Sequence, residues 1–190
     1  MASDVSICNR AMQKLGAKRI VDFDEDSVNA RECAACFEEL RDAELRAHPW
    51  AFAAKRAQLA ASTDAPAFGP ANAFPLPEDF LRLLPVDPEY LTNEDDWRIE
   101  GRQILTNDSA PLNIRYVYRV EDANEMDALF RESLASRIAY ELCEKLTQSN
   151  QKKEAAAQDY KRAISEAKRA NAIEKIAEEP PEDTWLSVRR

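Results

Sequence analysis

Glycine and histidine are scarce in this 190-residue chain: three of the former and one of the latter. So little glycine leaves almost no material for a backbone loop that cradles phosphate, and no GxSxG nucleophile turn occurs. With His48 as the sole imidazole, acyl-transfer chemistry has no visible anchor. No run of about 18 apolar residues is present, so no membrane-spanning helix is expected. The opening MASDVSIC lacks the basic-then-apolar layout of an export leader, which predicts synthesis and retention in the cytoplasm. Basic residues are outnumbered, 26 against 35, and the net charge is −9. That balance argues against a surface built to condense on nucleic acid or on an anionic membrane.

What is there reads as helix, sheet, then helix. Ser3 can cap a first amphipathic helix that uses Ile7 or Cys8, Ala11, Met12 and Leu15 and stops at Gly16. An acidic connector, residues 22–26, precedes Ser27, which can cap a second helix carrying Cys33, Phe37, Leu40 and Glu44 or Leu45 at helical spacing. Pro49 ends it. The period then changes, and residues 50–59 read as a strand. Prolines and small residues make 62–77 a surface loop, after which Phe80, Leu81, Leu83 and Leu84 return to the core.

Two runs flanking Glu100-Gly101-Arg102 form a β-hairpin whose turn needs a positive φ at Gly101. Leu112, Ile114, Tyr116, Tyr118 and Val120 alternate with Asn113, Arg115, Val117 and Arg119, the clearest half-buried strand in the chain. Asp122-Ala-Asn-Glu125 has the form of a capping box opening a long helix striped by Met126, Phe130, Leu134, Ile138, Leu142 and Leu146. After a short turn, residues 151–176 carry Ala156, Tyr160, Ala163, Ala167 and Ala170 along one side, letting two helix axes approach closely.

The expected fold is therefore α+β and mainly α. Residues 1–49 and 121–177 form an antiparallel helical bundle, 50–120 an inserted subdomain with a small antiparallel β-sheet, and 178–190 an extended tail. In that tail Pro180-Pro181 forbids helix continuation, yet Trp185, Leu186 and Val188 follow. Thirteen residues cannot bury such side chains alone, so the body or another subunit must supply a groove.

Candidate chemistry is thin. Cys33 and Cys36 have the spacing of a zinc or redox half-site, but Cys8, Cys143 and His48 are scattered, and the cysteines are better read as small core residues than as disulfides or ligands. No metal and no cofactor is assigned. His48 at a helix end suits an imidazolium facing the last carbonyls. The acidic runs, Asp24 with Asp26, Glu94 with Asp95 and Asp96, and Glu178 with Glu179, read as solvated loops. Lys152-Lys153, Lys161-Arg162 and Lys168-Arg169 are interleaved with Glu154, Asp159 and Glu166, the pattern of a salt-bridged helix face.

Taken in order, the first helix ending at Leu15-Gly16, then Ser27-Val-Asn-Ala-Arg31, Cys33, Phe37, Leu40-Arg41, Leu45-Arg46 and His48-Pro49-Trp50-Ala-Phe52-Ala53, resemble the head-to-tail adaptor proteins of tailed bacteriophages, the tail tubular protein A or tail accessory factor group. Phe74-Pro-Leu-Pro77 followed by Asp79-Phe80-Leu81-Arg82 looks like that family's strand-entry segment. These are packing and turn signatures, and none is catalytic. The resemblance implies a virion structural protein in the tail or neck, made in the host cytoplasm. It implies a ring, commonly of twelve copies, joining the portal to the tail tube or nozzle and continuing the DNA channel without sequence-specific DNA binding.

On that reading Trp185, Leu186, Val188, Arg189 and Arg190 form the portal-docking hook. An acidic subunit repeated around a channel would let the genome slide rather than grip it. The expectation is of no enzyme. Two alternatives stand beside it: a peptidoglycan hydrolase carried by the same adaptor, with Glu94, Asp95 and Asp96 as its only candidates, and a self-associating interaction domain.

Overall fold

Ser3 opens the first helix as expected: its side chain accepts the Ser6 N–H at 3.1 Å while the Ser6 hydroxyl accepts the Ser3 N–H at 2.9 Å. The reciprocal pair satisfies two of the amides left over where a helix begins. In the computed structural model, which describes residues 1–85 and 97–174, this helix is α1, Asp4–Leu15, and it ends at Gly16 with φ 69°. Ser27 caps α2, Val28–Ala47, by accepting from the Ala30 N–H at 3.2 Å. Six short strands follow: β1 Ala54–Leu59, β2 Asn72–Pro75, β3 Phe80–Leu84, β4 Trp97–Glu100, β5 Gln103–Thr106 and β6 Leu112–Tyr118. The described chain closes with α3, Ala128–Thr147, and α4, Asn150–Ile173.

The fold is α+β, and α3 is its hub. It packs against α1, α2 and α4, which explains why it buries residues around most of its circumference, from Phe130 and Leu134 to Ser133, Ser136 and Cys143. The peripheral α4 buries only Ala167 and Asn171, while Ala156, Tyr160, Ala163 and Ala170 are half-buried against α3. Gln148 in the left-handed region, φ 50°, and Ser149 as the next N-cap turn the chain between these two helices.

Three expectations change at the junctions. α3 starts at Asp127, whose side chain accepts the Leu129 and Phe130 amides at 2.8 and 3.2 Å, rather than at Asp122. Asp122 instead closes a local turn on Asn124, and the Glu125 carboxylate is occupied by the Tyr118 hydroxyl at 3.1 Å. The first strand begins at Ala54, not Trp50, because turn bonds from Trp50 N–H to the His48 carbonyl and from Ala53 N–H to the Trp50 carbonyl fold residues 48–53 into a tight corner. The segment 62–77 is not all loop, since Asn72–Pro75 pairs with β5.

The inserted strands also form two sheets rather than one. Both are antiparallel and three-stranded, ordered β1-β6-β3 and β2-β5-β4. β6 explains the division. Its Val117 packs into the helical core with Leu84 and Val120, while Ile114 and Tyr116 face a second core with Leu59, Phe74, Leu76 and Ile104. Strand alternation thus gives one sheet two apolar faces, and a second sheet is needed to cover the outer one. The β4–β5 turn has positive φ at both Gly101 and Arg102, 53° and 68°, matching the twist a two-residue hairpin requires. Arg102 is held there by donating to the Pro77 carbonyl at 2.7 Å.

Candidate functional site

The motif His48-Pro49-Trp50-Ala-Phe52-Ala53 folds into the corner where the helices meet the sheets. Trp50 is 1% exposed, its indole N–H donates to the Glu44 carbonyl at 2.9 Å, and its ring meets Phe130 edge-on with centroids 5.0 Å apart. Phe52 joins from the other side, 5.1 Å from Phe130. Such tilted contacts align ring edges with ring faces and add to the area each ring buries. Glu44 is itself buried and accepts the Tyr160 hydroxyl at 2.6 Å. Burial first, and then this hydrogen bond, push the Tyr160 phenol well above its ordinary range.

The far end of α4 is tied to this corner by Asn171. Its side-chain oxygen accepts the Ala51 N–H at 2.7 Å, and its amide nitrogen lies 2.9 Å from His48 Nε2. His48 stands at the end of α2, where the sequence places it. With φ −143° and ψ 146° it has left the helical path, and its ring engages the Asn171 amide and packs edge-on against Trp50 at 4.7 Å. Asn171 escaped sequence reasoning, although a signal was present: it stands four residues after Ala167, on the apolar stripe of an otherwise polar helix.

The latch holds the end of α4 beside the corner that precedes β1. The hook residues Trp185, Leu186, Val188, Arg189 and Arg190 lie outside the described residues, as do Glu94, Asp95, Asp96, Glu178 and Glu179. Asp24 and Asp26 sit in the exposed connector before α2, where Asp26 pairs with Arg31 at 3.2 Å.

The cysteines belong to the helical core, and all four are free. Cys8, Cys33 and Cys143 are buried, and Cys36 is partly so. The hydrogen bond between Cys8 and Cys33, with burial, raises the Cys8 thiol, and burial pushes the Cys36 thiol up to about 12. Neither is a thiolate at neutral pH, so neither is poised as a nucleophile. Among the described residues no group of three His, Cys, Asp or Glu side chains is arranged to hold a metal ion, and no buried side-chain nitrogen or oxygen lacks a hydrogen-bond partner. No described helix is long and apolar enough to cross a membrane.

Ion pairs tie the elements together around the core. Glu132 on α3 takes Arg10 at 2.9 Å and Lys14 at 2.7 Å from α1. Asp42 on α2 takes Arg119 at 2.7 Å, and Asp79 takes Lys55 at 2.8 Å and the Tyr116 hydroxyl at 3.0 Å. Burial alone would raise Glu132 and Asp79, but the hydrogen bonds from these cationic and hydroxyl donors outweigh it and hold both carboxyls below their ordinary range. No protein-family model matches the chain, and no curated protein matches it.

Proposed function

We propose that the chain is a structural head-to-tail adaptor of a tailed-bacteriophage virion, a ring subunit that joins the portal to the tail tube or nozzle and continues the DNA channel. In its finer form the reading is an antiparallel helical bundle with an inserted β subdomain and an extended C-terminal docking tail. The observation that carries it is the corner at residues 48–53. The apolar residues of α1, α2 and the corner behind the family resemblance, Leu15, Ala30, Cys33, Phe37, Leu45, Trp50 and Ala53, share one core with Phe130, so their order and spacing have a common packing purpose.

The Asn171 latch supports the docking role in a second way. It fixes the end of α4 at the junction of helices and sheets, giving the tail a defined point of departure. Trp185 and Leu186 would seat in a portal groove as apolar anchors, with Val188, Arg189 and Arg190 completing the contact. Aromatic anchors of this kind dominate the energy of many interfaces. The ring would number twelve copies if it follows the resemblance, and the subunit would perform no turnover.

The experiment is to mix full-length protein with its candidate portal ring and compare class averages from electron cryomicroscopy with those of protein ending at Ala177. Decoration that depends on the tail is the expected result. Absence of decoration by the full-length chain would remove the docking assignment.

A further inference from the structure

The Asn171 amide fixes the protonation of His48. A backbone N–H can only donate, so the atom 2.7 Å from the Ala51 nitrogen is the Asn171 oxygen, and the amide nitrogen faces the ring, 2.9 Å from His48 Nε2. That nitrogen also donates to the Pro49 carbonyl at 3.4 Å, where a turned amide would set oxygen against oxygen. With the amide so oriented, Nε2 accepts, and His48 is the neutral imidazole with its proton on Nδ1.

Protonation removes the lone pair on which this contact rests. An imidazolium carries a proton on both nitrogens, so Nε2 would face the Asn171 N–H donor against donor. Turning the amide would offer its oxygen to the imidazolium, but would set its N–H against the Ala51 N–H and leave that backbone amide without its acceptor. Either way one of the two bonds at Asn171 is lost.

Little else holds this end of α4. Past Ala167 the described residues of the helix are exposed, apart from the half-buried Ala170 and Asn171 itself. Around the latch the ionisable groups belong to three helices. On α2, Glu44 accepts the Tyr160 hydroxyl and lies 4.0 Å from Arg137 of α3, while Arg46 donates to the Leu81 carbonyl. On α4, Lys168 and Glu174 stand exposed three residues to either side of Asn171. The carbonyl end of α2 and the Trp50 ring, 4.7 Å from the imidazole, favour a charged His48. The Asn171 N–H favours a neutral one, and the opposing tendencies put the titration between about pH 5 and 8.

We propose that His48 and Asn171 form a pH-sensitive latch: neutral His48 holds the end of α4 against the corner at residues 48–53, and protonated His48 releases it. The latch engages only the neutral ring, so it holds the folded-state pKa of His48 below the value that ring has without Asn171. Its stabilisation is fully present above the latch-free value and is lost as pH falls through the latched one. No partner enters the test, which stands apart from the adaptor reading.

His48 is the only histidine, so nitrogen NMR of the imidazole in untagged full-length protein follows a single residue. Above about pH 8 its Nε2 is expected to resonate as the unprotonated nitrogen, and a proton on Nε2 there would overturn the proposal. As pH falls through the titration, hydrogen-exchange protection of the Ala51 amide, corrected for intrinsic exchange, should drop about tenfold or more. In Asn171→Ala the His48 pKa should lie above the wild-type value by about 0.5 or more. Ala51 protection that is constant across the titration, or equal pKa values in the two proteins, would overturn the latch. In His48→Gln the Ala51 protection should not change between about pH 5 and 8. A fall like that of wild type would assign the release to another group and overturn the proposal. Should either variant fail to fold, the wild-type tautomer and Ala51 protection decide alone.

Discussion

Asn171 and His48, 123 positions apart, meet side chain to side chain at 2.9 Å, and the Asn171 oxygen takes the Ala51 N–H at 2.7 Å. One buried amide thereby joins the last turns of α4 to the corner that leads from α2 into the sheets. Removing it should cost more than one ordinary hydrogen bond, because the Ala51 amide is left without its acceptor. Asn171→Ala is expected to lower unfolding free energy by about 1 to 3 kcal/mol. Asn171→Asp, which keeps the acceptor, should cost less. Urea denaturation of the two variants checks the order, and equal losses would count against the latch.

Trp50 should be the most costly single truncation in the corner. It is fully buried among Phe52, Phe130 and His48, so Trp50→Ala is expected to lose about 3 to 5 kcal/mol. Trp50→Phe keeps most of the ring but forfeits the bond to the Glu44 carbonyl, and the loss attributable to that bond is about 0.5 to 1.5 kcal/mol. Thermal unfolding of both variants separates packing from hydrogen bonding.

Glu132 gives the protein an acid-sensitive tie between α1 and α3. Its carboxyl is held below its ordinary range in the folded state, so the stabilisation is present above the unfolded-state value, about 4.3, and is lost as pH falls through the lower folded value. Glu132→Gln should therefore be less stable than wild type near pH 7 and converge with it in acid. Urea midpoints for the two proteins across that range would run parallel if the Arg10 and Lys14 pairs contributed nothing.

The free thiols predict independence from redox conditions. Cys8, Cys33 and Cys143 are buried and no disulfide exists, so reductant should leave the melting temperature unchanged. A thiol reagent should modify native protein slowly and all four cysteines rapidly once denatured, with Cys36 leading in the native state. Rapid native labelling of Cys8 would contradict its place in the core.

For the adaptor reading, Trp185→Ala is expected to weaken portal docking by about 2 kcal/mol or more. The helical circular dichroism of the free subunit should not change. Loss of that signal would mean that Trp185 serves the fold rather than a partner.

Local chemistry made much of the architecture legible beforehand. Ser3 and Ser27 each cap a helix, Gly16 ends one in the left-handed region, and Gly101 turns the hairpin, because each outcome depends on residues within one turn of chain. The stripe from Phe130 to Leu142 marked α3 as buried, and the alternation around Ile114 and Tyr116 marked β6 as a strand. Where prediction missed, a distant partner had intervened. Asp122-Ala-Asn-Glu125 has the residues of a capping box, but Tyr118 claims Glu125 and the helix waits for Asp127. Asn72-Ala-Phe-Pro75 has too few residues and too much proline to announce a strand, and becomes one by pairing with β5.

The same division holds for the candidate interaction surfaces. The apolar hook was visible because a proline pair and a tryptophan are chemical facts of a few adjacent residues. The Asn171 latch could not be read that way, since His48, Ala51 and Asn171 are unremarkable one by one and gather only when the end of α4 packs beside the end of α2. The sequence by itself determined the four helices, the β4–β5 hairpin and β6, since capping, periodicity and turn chemistry act over a few residues. Tertiary structure alone decided that the strands form two sheets, where α4 is pinned, and which charges share a face, because these depend on contacts between residues far apart in the chain.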